Sequence, residues 1–563
     1  MNHFKAIFAA LFLHAALSGS QLCSQEASLI NRNKPEREEW LKDAGFGMFI
    51  HWNIDVQLGT VISHSLAGAS EAYIEKYIHE LPATFNPVDW DPEKIVIQAR
   101  NAGMKYIVFT TKHHNGFCFW DTESTDFNIT NTPYGKDILA DLVVACRKHG
   151  MAVGFYYSTE DFVFSYRNGI KHIRRRNHWE YAKPIHEPYK AYIRLQVNEL
   201  MTRFGDVDFF FIDSEAYREE VKSLVWKLQP ECVITRGAIP TPEQFIPGEN
   251  IAGAWESNMT MGTQWNYKPT NEHYKSGTYL INALIRARAR GGSFLLNVGP
   301  GQWGQLNEAQ HGRLQELAAW NFVNGEAIQG VRPWIISNEG DLWLTQHKDQ
   351  SALYIYITGS EQWKRGERKS FVLRSARITD STTIGVLGQT GNVVEYMPHV
   401  DGRARVDQQG DSLCFSVVRA QRLYNNHRWP NPVVVKLENI LPAIEPGRFL
   451  TLEAELKGTE NVQFSSRVTN LGSGDEFWLF FEYRPLVSSL EAGEEQDWQR
   501  SGAVMITDPG EYHFLQSDRL FSSMEYDPAA ATGTASSPRR GVEYRAVFVQ
   551  DGLEIHGNIL TLK

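Results

Sequence analysis

The stretch Asp206-Val207-Asp208-Phe209-Phe210-Phe211-Ile212-Asp213-Ser214-Glu215 decides the fold of the first half of the chain. Four apolar residues follow one another without a break, and the chain then turns acidic. Such a run, with aromatic and β-branched members, is typical of a strand buried on both faces in a parallel sheet. Asp213 ends this strand, which is where α/β barrels keep their active sites. From this stretch alone, capping of the next helix explains Asp213 equally well.

The surrounding sequence repeats the same pattern. Between Phe46 and Gly301, buried strands alternate with amphipathic helices, and seven strands are readable while an eighth is not. This alternation predicts an α/β fold with a (β/α)8-like barrel. The predicted strands cover residues 47–52, 106–111, 153–158, 209–212, 232–236, 252–256 and 293–298.

Beyond residue 334 the helical patterns stop and short alternating strands with Gly, Asn and Asp turns begin, which predicts C-terminal β-sandwich domains. The segment from Leu441 to Gly447 contains two prolines and indicates a linker. We therefore expect a signal peptide over residues 1–24, the catalytic barrel over 25–334, a β-sandwich over 335–440 and a further β-rich domain over 441–563.

Composition narrows the function classes. The 563 residues carry a formal net charge of -10, which disfavours a nucleic-acid or anionic-membrane partner. One lysine and a short apolar segment over residues 5–17 predict a secretory signal, too short for a membrane span, and hence a secreted or periplasmic protein. The five cysteines show no metal-ligand spacing, so neither a zinc site nor a disulfide framework is indicated.

Polar side chains stand at or near the C-terminal ends of the predicted strands. A ring of such residues is what an active site on a barrel requires. Two carboxylates on different strands, Asp213 and Glu256, could flank a glycosidic bond as nucleophile and acid/base. Metal binding by the neighbouring histidines is the competing use, but adjacent residues on a strand point to opposite faces. The ring consists of His51, His113, His114, Tyr156, Tyr157, Asp213, Arg236 and Glu256.

Six segments in order resemble glycoside hydrolase family 29, the α-L-fucosidases, over about residues 36–334. The stretch Thr110-Thr111-Lys112-His113-His114-Asn115-Gly116-Phe117 is the most specific of them. The others are Phe49-Ile50-His51-Trp52, Gly154-Phe155-Tyr156-Tyr157-Ser158, Trp255-Glu256-Ser257, Gly291 to Pro300 and Asn324-Gly325-Glu326-Ala327-Ile328.

This resemblance implies a retaining exo-hydrolase that acts on an oligosaccharide or polysaccharide, with no metal and no organic cofactor. It places the nucleophile on Asp213 and the acid/base on Glu256, with Glu215, Asp161 and Glu160 as rivals for the second role. The sugar contacts that it implies are His51, Glu71, His113, His114, Tyr156 and Arg236.

Two departures from the family pattern keep other substrates open. Asn53 stands where the family often has Gly, and Ala72 where it often has Trp. Because L-galactose differs from L-fucose by one hydroxyl, an exo-α-L-galactosidase acting on an algal-type polysaccharide is the alternative. The basic stretch Lys171 to Arg176 could meet a sulfated glycan. A non-catalytic glycan-binding protein is the alternative of another class, and the presence of both carboxylates argues against it.

Overall fold

The structure is a computed structural model, which describes residues 30–174, 185–248, 251–359, 362–423, 430–457, 461–485, 498–517 and 542–562. The expected signal peptide lies outside these ranges, as do Arg175 and Arg176 of the basic stretch. No helix within the described ranges is long and apolar enough to cross a membrane.

A curled, parallel, seven-stranded sheet forms the first domain, in the order β5-β4-β3-β2-β1-β7-β6. This confirms the barrel-like α/β fold, with seven strands instead of eight among the residues described. Each strand consists almost wholly of buried residues, as the unbroken apolar runs predicted. The strands are β1 (Phe46–Ile50), β2 (Tyr106–Lys112), β3 (Ala152–Ser158), β4 (Phe209–Asp213), β5 (Val233–Ile234), β6 (Glu256–Thr260) and β7 (Ser293–Val298).

An irregular segment runs beside β6 where an eighth strand would lie. The carbonyls of Pro240 and Pro242 accept from the amides of Glu256 and Asn258, at 3.1 and 3.0 Å. The Gln244 amide donates to the Asn258 carbonyl at 2.8 Å. Since proline has no amide proton, this segment can form only part of a ladder. The two prolines therefore explain why no eighth strand is readable in the sequence.

Helices cover the outside of the sheet, and most of those described begin at a side-chain cap. Asp137 accepts from the Ala140 amide at 2.8 Å, and Ser276 accepts from Tyr279 at 3.1 Å. Such caps satisfy amides that the first helical turn leaves without partners. The helices are α1 (Pro35–Ala44), α2 (Glu71–Thr84), α3 (Pro92–Asn101), α4 (Ile138–Lys148), α5 (Phe162–Arg167), α6 (His186–Arg203), α7 (Arg218–Leu228), α8 (Gly277–Ala289) and α9 (Glu308–Asn324).

The C-terminal part is antiparallel, as the alternating pattern predicted. One sheet has the order β12-β15-β10-β9-β8 and a second has β11-β14-β13. Their strands are β8 (Val331–Glu339), β9 (Leu342–His347), β10 (Ala352–Ile357), β11 (Arg368–Leu373), β12 (Ala376–Val386), β13 (Arg405–Gln409), β14 (Ser412–Val418) and β15 (Val433–Pro442). Thus β8 and β15 cross the boundaries that we drew after residues 334 and 440.

The last unit contains two further antiparallel sheets. Its strands are β16 (Arg448–Leu456), β17 (Asn461–Asn470), β18 (Phe477–Pro485), β19 (Gln499–Arg500), β20 (Val504–Met505), β21 (Gly510–Ser517), β22 (Val542–Gln550), β23 (Leu553–His556) and β24 (Leu560–Leu562).

This last unit packs against the rest of the molecule. The Arg374 guanidinium donates to the Asp551 carbonyl at 2.8 Å, and Leu553 joins the main hydrophobic core. Gly248, in the loop that follows the irregular segment, lies so close to the backbone at Gly557 that a Cβ would clash. The barrel and the last unit therefore share a boundary next to the β5–β6 loop.

The strand that we predicted over residues 252–256 is displaced along the chain. In the structure it begins at Glu256 and runs to Thr260. The prediction followed the apolar residues Ala252, Ala254 and Trp255, whereas the real strand is mostly polar and still fully buried. Glu256 therefore lies at the N-terminal end of its strand instead of the C-terminal end.

Candidate active site

A cavity of about 630 Å3 opens at the carboxyl ends of the barrel strands, within the usual size of small-molecule sites. It brings together six of the nine residues predicted as ring members or sugar contacts. Those present are His51, His113, His114, Tyr156, Asp213 and Arg236, and those absent are Glu71, Tyr157 and Glu256.

Asp213, the last residue of β4, is surrounded by groups that favour its charged form. Its Oδ2 accepts from the Tyr156 hydroxyl at 2.5 Å and lies 3.4 Å from Nε2 of His114. Nε of Arg236 lies 3.7 Å from Oδ1. Burial by itself would raise the pKa of this carboxyl, but Arg236, His114 and the Tyr156 hydrogen bond together hold the pKa below its ordinary value. Asp213 is therefore an ionised carboxylate in this cavity.

The two adjacent histidines both face the cavity, contrary to the expectation from strand alternation. Because β2 ends at Lys112, the chain no longer alternates at His113 and His114, whose ring centroids lie 4.3 Å apart. Nδ1 of His113 contacts Oγ of Ser63 at 2.7 Å, and Nδ1 of His114 contacts Oγ of Ser158 at 2.6 Å. These serine contacts hold the two ring orientations, and Nε2 of His114 faces Oδ2 of Asp213.

His51 follows β1 and is almost fully buried. Its Nδ1 contacts Oδ1 of Asn297 on β7 at 2.6 Å, and its ring lies 4.7 Å from the Trp265 ring. Burial lowers the pKa of His51 to about 3, although Asn297 and Asp213 act in the opposite direction. A neutral imidazole at this position can donate or accept a hydrogen bond from a sugar hydroxyl.

Arg236 connects two carboxylates in the cavity. Besides its approach to Asp213, its Nη1 donates to Oε2 of Glu243 at 2.9 Å. Glu243 belongs to the irregular segment beside β6, and its side chain is 40% exposed. Glu243 was not among the predicted site residues, because it follows Pro242 in a stretch with no strand pattern. A carboxylate between two barrel strands on the active-site side was the available signal.

Glu256 does not reach the cavity, which corrects our expectation of two carboxylates at one end of the sheet. Oε2 of this fully buried residue accepts from the hydroxyl of Tyr106, the first residue of β2. Oε1 has no hydrogen-bond partner among the described residues. Burial raises the pKa of Glu256 to about 7, so a neutral carboxylic acid persists close to neutral pH. The shifted start of β6 is the physical reason for this position.

Glu71 and the two departures from the family pattern also lie away from the cavity lining. Glu71 begins α2 on the surface, 3.4 Å from the Tyr166 hydroxyl. Ala72 is exposed beside it. Asn53 is fully buried and exchanges two hydrogen bonds with Asn115, at 2.8 and 2.6 Å. None of these three side chains lines the wall of the cavity.

Three other carboxylates were rivals for the acid/base role. Asp161 is buried and satisfied by Lys112 at 3.3 Å and Tyr192 at 2.8 Å, so its position is structural. Glu215 lines the cavity and is exposed. Glu160 lines the cavity too, and burial followed by the charge of Asp213 raises its pKa to about 7.

Ligand atoms of His113, His114 and Asp213 lie within 4.8 Å of one another, a spacing that could hold a metal ion. Their other contacts give the site a different character. Asp213 already faces the Arg236 guanidinium, and the Tyr156 hydroxyl donates to it. A cation there would meet the repulsion of Arg236 without gaining a second carboxylate.

An anionic carboxylate, neutral imidazoles and a guanidinium at the carboxyl ends of barrel strands define a glycoside hydrolase type of site. A family model described as Alpha-L-fucosidase matches residues 13–326. The chain belongs to this family, glycoside hydrolase family 29, and is an α-L-fucosidase-type enzyme.

Individual relatives agree in sequence and fold. An alpha-L-fucosidase of Dictyostelium discoideum is 26% identical over 367 residues, which are 56% of this chain and 77% of the relative. The crystal structure of an alpha-L-fucosidase from Vibrio sp. strain EJY3 superposes with a TM-score of 0.61 at 20% identity and covers 92% of this chain and 98% of its own. An alpha-L-fucosidase from Bacteroides thetaiotaomicron was solved as a trapped covalent intermediate in complex with 2-fluoro-fucosyl fluoride. It superposes with a TM-score of 0.57 at 20% identity, and the match covers 73% of this chain and 97% of its own.

Proposed function

We propose that the protein is an exo-acting, retaining enzyme that releases terminal α-L-fucose from a glycan. The carrying observation is Asp213, an ionised carboxylate in the cavity to which Tyr156 donates and which Arg236 approaches. The trapped covalent intermediate of the Bacteroides thetaiotaomicron relative supports the same two-step route here. The rings of Phe49, Phe211 and Trp265 give the cavity an apolar part, which suits the methyl group of a 6-deoxy sugar.

The proposed reaction has two displacements at the anomeric carbon. In the first, a carboxylate oxygen of Asp213 attacks that carbon, its bond to the glycosidic oxygen breaks, and an acid/base carboxyl transfers its proton to the leaving oxygen. In the second, the same acid/base group takes a proton from water, whose oxygen attacks the carbon and frees Asp213. Tyr156 and Arg236 stabilise the negative charge that returns to Asp213 in this second step.

We assign the acid/base role to Glu243 in place of Glu256. Retaining enzymes need two carboxyl groups about 5–5.5 Å apart, and Arg236 contacts both Asp213 and Glu243. The partly exposed Glu243 stands at the open side of the cavity, where a leaving group must exit. Glu160 is the rival, because its raised pKa suits an acid, but it lies behind His114, 3.9 Å from Nδ1.

Labelling and substitution test the nucleophile. A 2-fluoro-fucosyl fluoride should label the peptide that contains Asp213. Asp213→Gly should lower kcat on nitrophenyl α-L-fucoside by roughly 10³–10⁶-fold, and azide should restore turnover as the β-configured fucosyl azide. Glu215→Gln, which changes an exposed carboxylate two residues away, is the matched control. A label on another residue, or wild-type turnover by Asp213→Gly, would contradict the assignment.

Leaving-group dependence tests the acid/base. Glu243→Gln should lose roughly 10²–10⁴-fold on a fucosyl disaccharide and far less on an aryl fucoside that needs no protonation. Azide should accelerate this variant and yield the α-configured azide, because it attacks the glycosyl-enzyme. Glu160→Gln and Glu256→Gln are the controls. If Glu160→Gln shows this pattern and Glu243→Gln does not, Glu160 holds the role.

No observation in the cavity favours the two alternatives. The α-L-galactosidase hypothesis rested on Asn53 and Ala72, neither of which lines the cavity. A purely glycan-binding role does not account for an ionised carboxylate coupled through Arg236 to a second one. Release of free L-fucose, and of little L-galactose, from matched nitrophenyl glycosides is the expected result.

We also propose that the enzyme is secreted or periplasmic after removal of residues 1–24, on the basis of the N-terminal sequence. N-terminal sequencing of the protein recovered from the medium or periplasm tests this, and a mature chain that retains Met1 would contradict it.

A further inference from the structure

A second and larger cavity, of about 940 Å3, lies where the barrel, β8–β9 and the last β unit meet. We call it the interdomain cleft, and its defining residues are Arg286, Arg290, Trp343, Trp498 and Arg545. Glu243 lines both this cleft and the cavity around Asp213. The cleft therefore continues from the side on which the proposed acid/base stands, where the leaving part of the substrate must lie.

Arg290 is the unusual residue of the cleft. It is only 4% exposed, and its Nε has no hydrogen-bond partner among the described residues. No carboxylate of the described chain lies within ion-pair distance of it. Its guanidinium lies 4.6 Å from the centre of the Trp343 ring, over the ring face. An unpaired buried cation is costly, so such a group normally has a counter-charge.

The neighbouring positive charges make the charged form of Arg290 less favourable still. Arg286 and Arg545 lie close enough for their positive charges, after burial, to lower the pKa of Arg290 to about 9. Arg545 is itself neutralised by Glu482 at 2.6 Å. Of the acids that line the cleft, Glu543 pairs with Arg484 and Glu243 pairs with Arg236. Asp341 is exposed and makes no ion pair with Arg290.

The aromatic residues of the cleft suit a sugar chain. Trp343 and Trp498 both line it, and each ring has arginine guanidinium groups nearby: Trp498 lies between Arg484 at 4.4 Å and Arg545 at 4.6 Å. Aromatic faces pack against the C–H faces of sugars, and guanidinium groups bind oxyanions in a bidentate manner. Since the whole chain has a net charge of -10, a generally basic surface does not account for the position of Arg290 in this cleft.

We propose that the interdomain cleft binds an oxyanion substituent, a sulfate or a carboxylate, on the sugars next to the fucose, with Arg290 as its principal ligand. The substrate class is then an anionic fucosylated glycan. This inference rests on the proposed function, because it assigns the leaving part of the substrate to the cleft.

Matched substrates test the proposal. Fucosyl trisaccharides are compared in which the two sugars that leave are neutral, carry a sulfate at one of several hydroxyls, or contain a uronate. The wild type should cleave at least one anionic form with a kcat/KM roughly tenfold or more above the neutral form. Preference for the sulfated set or for the uronate identifies the oxyanion. Equal kcat/KM across all forms overturns the proposal.

Substitution of Arg290 separates this site from the catalytic one. Arg290→Met should reduce the anionic-to-neutral ratio to about one, and Arg290→Lys should retain part of it. Arg290→Met should also raise the Tm of the ligand-free enzyme, because it removes a buried charge that forms no ion pair with any residue the structure describes. If Arg290→Met keeps the full anionic preference, Arg290 is not the ligand and the proposal fails.

Arg288, two residues before Arg290 and in the last turn of α8, provides the matched control. It is equally buried, but it donates to the carbonyls of Gly292 and Lys42, both at 2.6 Å, and of Ile328 at 2.9 Å. Arg288→Met should lower the Tm, and its folded fraction should keep the anionic preference.

Nitrophenyl α-L-fucoside, which has no sugar for the cleft, reports on the proposed function alone: no hydrolysis by the wild type would refute that function. Calorimetric titration with the sulfated trisaccharide would then still test the cleft.

Discussion

Replacing Tyr156 by Phe tests how the site controls the charge of Asp213. The Tyr156 hydroxyl donates to Oδ2 at 2.5 Å, while the ring packs on His113 with centroids 5.4 Å apart and on Phe211 at 5.5 Å. Tyr156→Phe keeps the ring contacts and removes only the hydroxyl. The ring is almost fully buried, so the variant should fold with the wild-type arrangement of the cavity.

The size of the expected pKa change follows from the free energy that a hydrogen bond to a charged group contributes, roughly 1.5–3 kcal/mol. At 1.36 kcal/mol per pKa unit, its loss should raise the pKa of Asp213 by about 1–2 units. Because the wild-type pKa is held below its ordinary value, the acid limb of kcat/KM should move to higher pH. The second chemical step returns negative charge to Asp213, so that step should slow by roughly tenfold or more.

The assay is a pH profile of kcat/KM on nitrophenyl α-L-fucoside together with stopped-flow detection of nitrophenol. We expect the acid limb to shift upward, and we expect a burst of nitrophenol because the covalent intermediate accumulates. Tyr157→Phe is the control: this hydroxyl donates to Gln196 at 2.7 Å, outside the cavity. An unshifted acid limb combined with no burst in Tyr156→Phe would refute the assigned coupling between Tyr156 and Asp213.

Two further predictions concern residues that support the fold. Burial raises the pKa of Glu256 to about 7, whereas in the unfolded chain it is near 4.5. The neutral form of this side chain therefore contributes stability that is fully present below pH 4.5 and is lost as the pH rises through 7. Glu256→Gln should therefore be more stable than the wild type at pH 8 by up to about 3 kcal/mol, with little difference at pH 4 and with activity retained; equal Tm differences at both pH values would contradict this. Gly116 has a φ of 93° and a Cβ there would meet the Asp161 carboxylate, whereas Gly169 has a φ of 95° and open space around it. Gly116→Ala should cost clearly more than the roughly 1 kcal/mol of strain expected for Gly169→Ala, as measured by urea unfolding, and equal costs would show that the Asp161 contact is unimportant.

Much of the fold was predictable because buried parallel strands consist of consecutive apolar residues. The strands predicted over residues 209–212 and 293–298 agree to within one residue with the observed strands Phe209–Asp213 and Ser293–Val298. The strand beginning at Glu256 was displaced by four residues, because its sequence Glu-Ser-Asn-Met-Thr is polar although every residue is buried. The Tyr106 hydroxyl donates to Glu256, and the side chains of Ser257 and Asn258 donate to carbonyls of the irregular segment. These contacts are not visible in a local sequence window.

The same displacement explains why Glu256, the predicted acid/base, lies away from the cavity around Asp213. A glutamate placed at the end of a predicted strand was expected among the catalytic groups, and the correct start of β6 moves it to the opposite end of the sheet. Glu243 was not predicted as a site residue, because Pro240 and Pro242 leave its segment without a recognisable strand pattern. Its approach to Arg236 depends on hydrogen bonds to β6 that no periodicity reveals.

The sequence by itself determined the α/β fold, the family resemblance and the position of Asp213 at the end of a buried strand, since these depend on local apolar patterns and contiguous motifs. Only the tertiary structure decided which second carboxylate shares Arg236 with Asp213, and that Arg290 lies in a cleft between domains with no ion-pair partner in the described part of the chain. Both are contacts between residues far apart in the chain, and their charges and burial exist only once separate elements have packed together.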